Sequence, residues 1–133
     1  MLSHIHHINV AVADLPKSVK YFTHLLQCEA IFESLPQRSV KTARFKIGES
    51  LLVLVQPTSD TGPVAEILAN KGEGIFLLSF ATESIDATLQ ELELNYAEKR
   101  HGLEGWSVCD ISPMQQYGVI LQLTESIENN YSK

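Results

Sequence analysis

The sequence predicts an α+β domain made of two tandem β-α-β-β-β modules, and three observations carry that expectation. Stretches that alternate apolar and polar residues, the mark of half-buried strands, occur in the same order twice. Each set is interrupted once by an apolar stripe at helical spacing. Adding 70 to a residue number lays one set on the other: His7 falls on Leu77, Asn9 on Ser79, Leu15 on Ile85, Val19 on Leu89 and Phe22 on Leu92. Such self-similarity marks a duplicated unit.

The elements follow in order. Residues 4–13 alternate, with Ile8, Val10 and Val12 on one face and His7, Asn9 and Ala11 on the other. Asp14-Leu15-Pro16 reads as a helix start with Asp14 as cap. Leu15, Val19, Phe22 and Leu26 then form one helical stripe. Strand-like runs follow at 29–34, 40–47 and 51–55, punctuated by Leu35-Pro36 and Gly48-Glu49-Ser50. The expected first module is 4–57. A connector, 58–73, contains a helical turn or two around 64–68. The second module, 74–125, repeats the order: a strand at 75–82, a cap at Ser84, a stripe of Ile85, Leu89 and Leu92, and weaker strands at 96–99, 106–111 and 119–124. Residues 126–133 are a C-terminal tail.

A chain of 133 residues and 14.8 kDa is one domain's worth, 1–133. At 44% hydrophobic and 20% charged residues it has enough apolar content for a core. No apolar run approaches the ~20 residues of a membrane helix, and Met1 is followed by polar histidines rather than a signal-peptide core. The expectation is a soluble, cytoplasmic protein. A net charge of −6 disfavours nucleic acid as partner, although Arg38, Lys41, Arg44 and Lys46 crowd into one segment. Cys28 and Cys109 have no ligand-like spacing and read as reduced thiols.

Two such modules opening with His7-Ile8-Asn9-Val10-Ala11-Val12 resemble the vicinal oxygen chelate superfamily, which takes in glyoxalase I, bleomycin-resistance proteins and extradiol dioxygenases. The methylmalonyl-CoA epimerase branch is most similar. Its pattern is echoed in the Pro-ended run 51–57, in Lys71-Gly72-Glu73-Gly74-Ile75 and in Gly118-Val119-Ile120-Leu121-Gln122-Leu123. The resemblance implies a cupped eight-stranded mixed sheet, helices outside, a ligand cavity inside and a homodimer. It also implies a divalent metal held at four positions, which here are His7, Val53, Leu77 and Gln122. Valine and leucine have no lone pairs to give, and Gln122 stands where the family has Glu. Only vestigial His7 and Gln122 remain, too few neutral ligands for a divalent ion. Nearby donors do not substitute: Gln56 is on the opposite face from Val53, Glu49 and Glu73 lie in turns, and Ser79 is a weak ligand.

The candidate site residues are therefore ligand-binding ones: His7, Asn9, Arg44, Val53, Leu77, Ser79 and Gln122. His7 is either a cavity imidazole or a hydrogen-bonded core residue. Arg44 shares a face with Thr42 and Lys46; it grips a carboxylate or phosphate if that face lines the cup, and is merely solvated if its strand is an edge. Asp110 stands where the epimerase pattern has an aromatic. It is a base if it lies in the cavity and a strand-end acid otherwise, so His7 and Asp110 are the catalytic candidates. His4 and His6 read as terminal surface histidines, and Trp106, Tyr117 and Phe76 as an aromatic wall or as core.

The expected function is binding of a small organic ligand, an acid or acyl thioester, with a degenerate metal site and no cofactor. The alternatives are an epimerase-like or glyoxalase-like isomerase or lyase that keeps a divalent metal, and a structural dimer partner. Neither nucleic acid nor membrane is an expected partner.

Overall fold

The computed structural model describes residues 1–125, the side chains of 112–116 excepted; the expected tail, 126–133, lies outside the described residues. The chain divides into two compact units, His7–Phe76 and Met1–His6 with Leu77 onward. Strands β1 (Leu2–Ala11) and β5 (Gly74–Thr82) thus contribute to both.

In the unit 7–76, β1 leads to α1 (Leu15–Leu26), then β2 (Ile31–Leu35), β3 (Val40–Ile47), β4 (Ser50–Pro57) and α2 (Pro63–Lys71). Its strands lie in the order β2-β3-β4-β1, with β1 parallel to β4 and the other neighbours antiparallel. The other unit runs β5 (Gly74–Thr82), α3 (Ile85–Leu92), β6 (Arg100–His101), β7 (Ser107–Gln116) and β8 (Val119–Glu125). Its strands lie in the order β6-β7-β8-β5, with β5 parallel to β8 and the rest antiparallel. The topology is the same in both, as a duplicated β-α-β-β-β module requires. All eight strands belong to one mixed sheet, and with the helices they make an α+β fold.

Local chemistry fixes the helix ends. Asp14 accepts from the Lys17 amide and Ser84 from the Ala87 amide, each satisfying one orphan donor of the first turn. Both of these helices stop on left-handed residues, Gln27 at φ 54° and Glu93 at φ 52°. The stripe of α1 packs on the apolar face of its unit, where Val12, Leu15, Ala43, Phe45 and Leu54 are buried together with Val19, Phe22 and Leu26 against them. In the second unit Ile85 and Leu89 of α3 meet Cys109 and Leu123, with Phe80 and Ile111 alongside.

Three stretches differ from the sequence expectation. The helical turn at 64–68 is a nine-residue helix, α2, which starts on Pro63 at its first position and ends with Lys71 in its last turn. Both choices suit a helix: the proline forfeits a donor that has no partner there anyway, and the lysine faces the negative end of the dipole. The strand at 96–99 is reduced to a single bridge from Tyr96 to Ile111, and pairing resumes only at Arg100 and His101. Lys99 is instead drawn to Asp86, at 2.9 Å. Finally, His6 is no surface residue. It is 3% exposed and packs edge-on against the buried Trp106, ring centroids 4.6 Å apart, whereas His4 is half-buried and stacks on His6.

The two thiols sit in different environments: Cys28 is half-buried, while Cys109 is fully buried with its Sγ 3.2 Å from the Ala97 carbonyl. Burial, and then the neighbouring Asp110 charge, push the Cys109 thiol up from its ordinary pKa. Because the folded value is raised, stability from this group is present below the unfolded thiol pKa and is lost as pH rises through the folded one. A thiol reagent at mildly alkaline pH should label one cysteine of the native protein, Cys28, and a second only in denaturant. Native labelling of both would contradict this packing.

Candidate functional site

Each unit has one helix-covered face and one opposite face, and strand register decides which residues share the latter. In the unit 7–76, Val53 is the cross-strand partner of both Asn9 and Arg44, so Asn9, Val53 and Arg44 form one row. His7 lies in the next row, opposite Leu51. His7 and Arg44 are each 4% exposed and Val53 is wholly buried. Arg44 donates from Nη1 to Glu33 Oε1 at 2.8 Å, and Glu33 keeps 30% of its side chain exposed. Strand β3 lies between β2 and β4; it is no edge, and the solvated reading of Arg44 is corrected. The Oδ1 atom of Asn9 is buried and has no hydrogen-bond partner among the described residues.

The second unit repeats the row with different chemistry. Gln122 is the partner of both Ser79 and Asp110. Gln122 Nε2 donates to Asp110 Oδ1 at 3.0 Å. Arg100 donates to the same carboxylate from Nη1, at 3.1 Å, and from Nη2, at 3.5 Å. Thr124 Oγ1 lies 3.5 Å from Gln122 Oε1 and shares a hydrogen bond with Ser79 Oγ. Ser79 and Thr124 are wholly buried and Gln122 is 3% exposed, but Asp110 and Arg100 keep 21% and 29% of their side chains open. Leu77, 4% exposed, faces the same way as Ser79, opposite Ile120. Asp110 is thus the middle of an ion-paired, hydrogen-bonded row and not an isolated acid at a strand end.

Two of these groups escaped sequence reasoning. Glu33 was legible in principle, because in a hairpin between β2 and β3 it falls opposite Thr42, diagonal to Arg44. Arg100 had no such signal, since it lies in the stretch whose pairing the sequence misplaced. The aromatic wall does not form: Trp106 and Phe76 are buried at 2% and 4%, but Tyr117, at the β7–β8 turn, is 98% exposed.

Comparison with known proteins places this geometry. The model of the Glyoxalase/Bleomycin resistance protein/Dioxygenase superfamily matches residues 4–103. The chain belongs to this superfamily. It is 25% identical to the uncharacterized protein YqjC of Bacillus subtilis over 130 residues, 93% of each chain. It is 24% identical to the human mitochondrial methylmalonyl-CoA epimerase over 133 residues, 94% of this chain and 75% of that one. A solved Streptomyces coelicolor methylmalonyl-CoA epimerase variant, in complex with 2-nitronate-propionyl-CoA, superposes with a TM-score of 0.85 at 28% identity, covering 96% of this chain and 99% of that one.

The residues at the positions where the resemblance implies a metal are, as a set, poor ligands for one. Of the four positions the resemblance implies, Val53 and Leu77 are buried hydrocarbon with no lone pair to offer. The amide nitrogen of Gln122 is committed to Asp110. The substitute donors are engaged elsewhere: Gln56 Oε1 accepts from the Leu15 amide at 2.6 Å and Glu73 Oε2 from the Ala13 amide at 2.8 Å. Ser79 is bonded to Thr124, and Glu49 is exposed in the β3–β4 turn. This donor set does not fit a divalent ion.

Removing Arg44 from its pair with Glu33 should cost far more than removing one partner of an exposed pair. Breaking a buried ion pair costs roughly 3–5 kcal/mol, and the half-open Glu33 places this pair at or below the low end. Arg44→Ala should therefore lower the unfolding free energy by about 2–3 kcal/mol in urea titrations. Lys99→Ala, which removes an exposed pair with Asp86, should leave it unchanged. Equal effects would mean that Arg44 is not held as described.

Proposed function

We propose that this chain binds a small organic ligand, an acid or an acyl thioester, on the faces its modules turn away from their helices, and that it does so without a resident metal. The observation that carries the reading is the pair of buried apolar side chains, Val53 and Leu77, at positions where the family resemblance puts metal ligands. Support for the ligand class comes from the relatives. Methylmalonyl-CoA epimerases are similar over nearly the whole chain, and one of them was solved with 2-nitronate-propionyl-CoA.

His7, Asn9, Arg44, Ser79 and Gln122 are the residues that would meet such a ligand. Arg44 is a guanidinium pre-positioned by Glu33 and suited to a carboxylate or phosphate oxygen. Asn9 brings a buried amide oxygen that calls for a donor. Val53 and Leu77 supply apolar contact. A proton transfer, if the protein performs one, falls to His7 or Asp110; no step is routed through a metal. A homodimer, the assembly the family resemblance implies, is the expected form. No helix among the described residues is long and apolar enough to cross a membrane.

The test is a thermal titration in the presence of a chelator. Propionyl-CoA or a short dicarboxylic acid should raise the melting temperature in a concentration-dependent way, and the chelator should not diminish the rise. Arg44→Ala should weaken the acidic ligand by roughly 1.5–3 kcal/mol, the range for a charged hydrogen bond. A rise abolished by chelator, or none with any thioester or acid, would contradict the reading.

A further inference from the structure

The polar row of the second unit has a direction. A carboxylate accepts hydrogen bonds and donates none, so the part of Gln122 that meets Asp110 is its NH2 group. The carbonyl oxygen of Gln122 is thereby turned the other way, toward Thr124 at 3.5 Å. Arg100 braces the arrangement from the neighbouring strand β6, because its two Nη atoms hold both oxygens of Asp110. Asp110 therefore cannot swing aside to let the amide flip without giving up an ion pair. The lone pairs that this row has left over belong to Gln122 Oε1 and to the Asp110 carboxylate, and all of them are acceptors. Asp110 and Ile120, on the same face, are only partly buried, while Gln122 itself is 3% exposed. A hydrogen bond made there is sheltered from competing water.

On the reading that the chain binds a small ligand at these faces, we propose that the second module selects a ligand group that donates a hydrogen bond, a hydroxyl or an N–H. Asp110 is the specificity-determining residue and Arg100 the residue that positions it. The polarity at these two acceptors is the reverse of a metal centre's: a cation attracts the lone pairs of ligand oxygens, whereas Gln122 Oε1 and the Asp110 carboxylate repel them. A keto or carboxylate oxygen brought to the same place meets only acceptors at Gln122 Oε1 and Asp110 and is left unpaired, an expense of about tenfold in affinity for one buried polar mismatch.

Two neutral esters that differ only in this respect provide the test. Methyl lactate carries a hydroxyl where methyl pyruvate carries a keto oxygen. Each is titrated into the full-length, 15N-labelled chain while the Gln122 side-chain amide signal is followed, and propionyl-CoA is titrated separately. Methyl lactate should shift that signal at concentrations about tenfold lower than methyl pyruvate. Asp110→Asn, which can accept or donate, should bring the two within about twofold. Equal responses in the wild type, a preference for methyl pyruvate, or no shift of Gln122 by either ester would each overturn the assignment. Should Asp110→Asn fail to fold, the two wild-type titrations decide alone. The outcomes also separate this inference from the proposed function. Stabilisation by propionyl-CoA with equal ester responses overturns only the polarity of the row. A methyl lactate preference without any propionyl-CoA response supports the polarity and removes the thioester.

Discussion

Register between neighbouring strands governs what this chain can do. Side chains alternate at a period of two, so pairing Val53 with Asn9 on one side and Arg44 on the other puts three residues from three strands into one line. Pairing Gln122 with Ser79 and Asp110 does the same in the second unit. The pairing is held by what lies on the reverse face: Leu54 and Phe45 under α1, Leu123 and Cys109 under α3. A slip of one residue would expose that core and bury its polar neighbours, which makes the register expensive to change. The apolar packing thus fixes the polar rows without touching them.

The duplication shows what was kept and what was altered. The third strand of each module places a charged residue in the row, Arg44 in one and Asp110 in the other, and each has acquired an opposite charge beside it, Glu33 and Arg100. A low-dielectric sheet face tolerates a charge only when it is paired and hydrogen-bonded. Where the superfamily resemblance implies a metal, this chain has hydrocarbon at Val53 and Leu77 and a row of internally satisfied polar groups at Gln122. The same constraint explains why returning Gln122 to a glutamate would not be neutral. Its oxygen would face Asp110 across the 3.0 Å that the amide now bridges, two like charges in contact.

Much of the fold was legible in the sequence for identifiable reasons. The caps at Asp14 and Ser84, the stripes from Leu15 and Ile85, and the strand Val40–Ile47 rest on local patterns that tertiary packing reinforces. The region around Tyr96 was misplaced because Asn95-Tyr96-Ala97-Glu98-Lys99 has no regular alternation, and the register beyond it is set by Val108 and Ser107 from another strand. The site was legible only as positions. That Val53 and Leu77 are apolar can be read directly, but whether Arg44 is solvated depends on β3 having a neighbour on both sides. Likewise, the surroundings of Asp110 depend on Arg100, ten residues away across a hairpin. His6 was misread for a similar reason. A histidine near a chain end has no local feature that reveals a tryptophan at position 106 waiting for it.

The most direct measurement of the proposed exchange, hydrocarbon and a hydrogen-bonded polar row where the resemblance implies a metal site, is metal content and cobalt affinity in two proteins. One is the wild-type chain. The other carries Val53→Glu, Leu77→His and Gln122→Glu, with Asp110→Asn added to remove the clash of carboxylates. The exchange requires no stoichiometric metal and only weak cobalt binding in the wild type, and one tightly bound ion per chain in the variant. One tightly held ion per wild-type chain, lost on replacing His7, or a folded variant that gains no affinity, would contradict it.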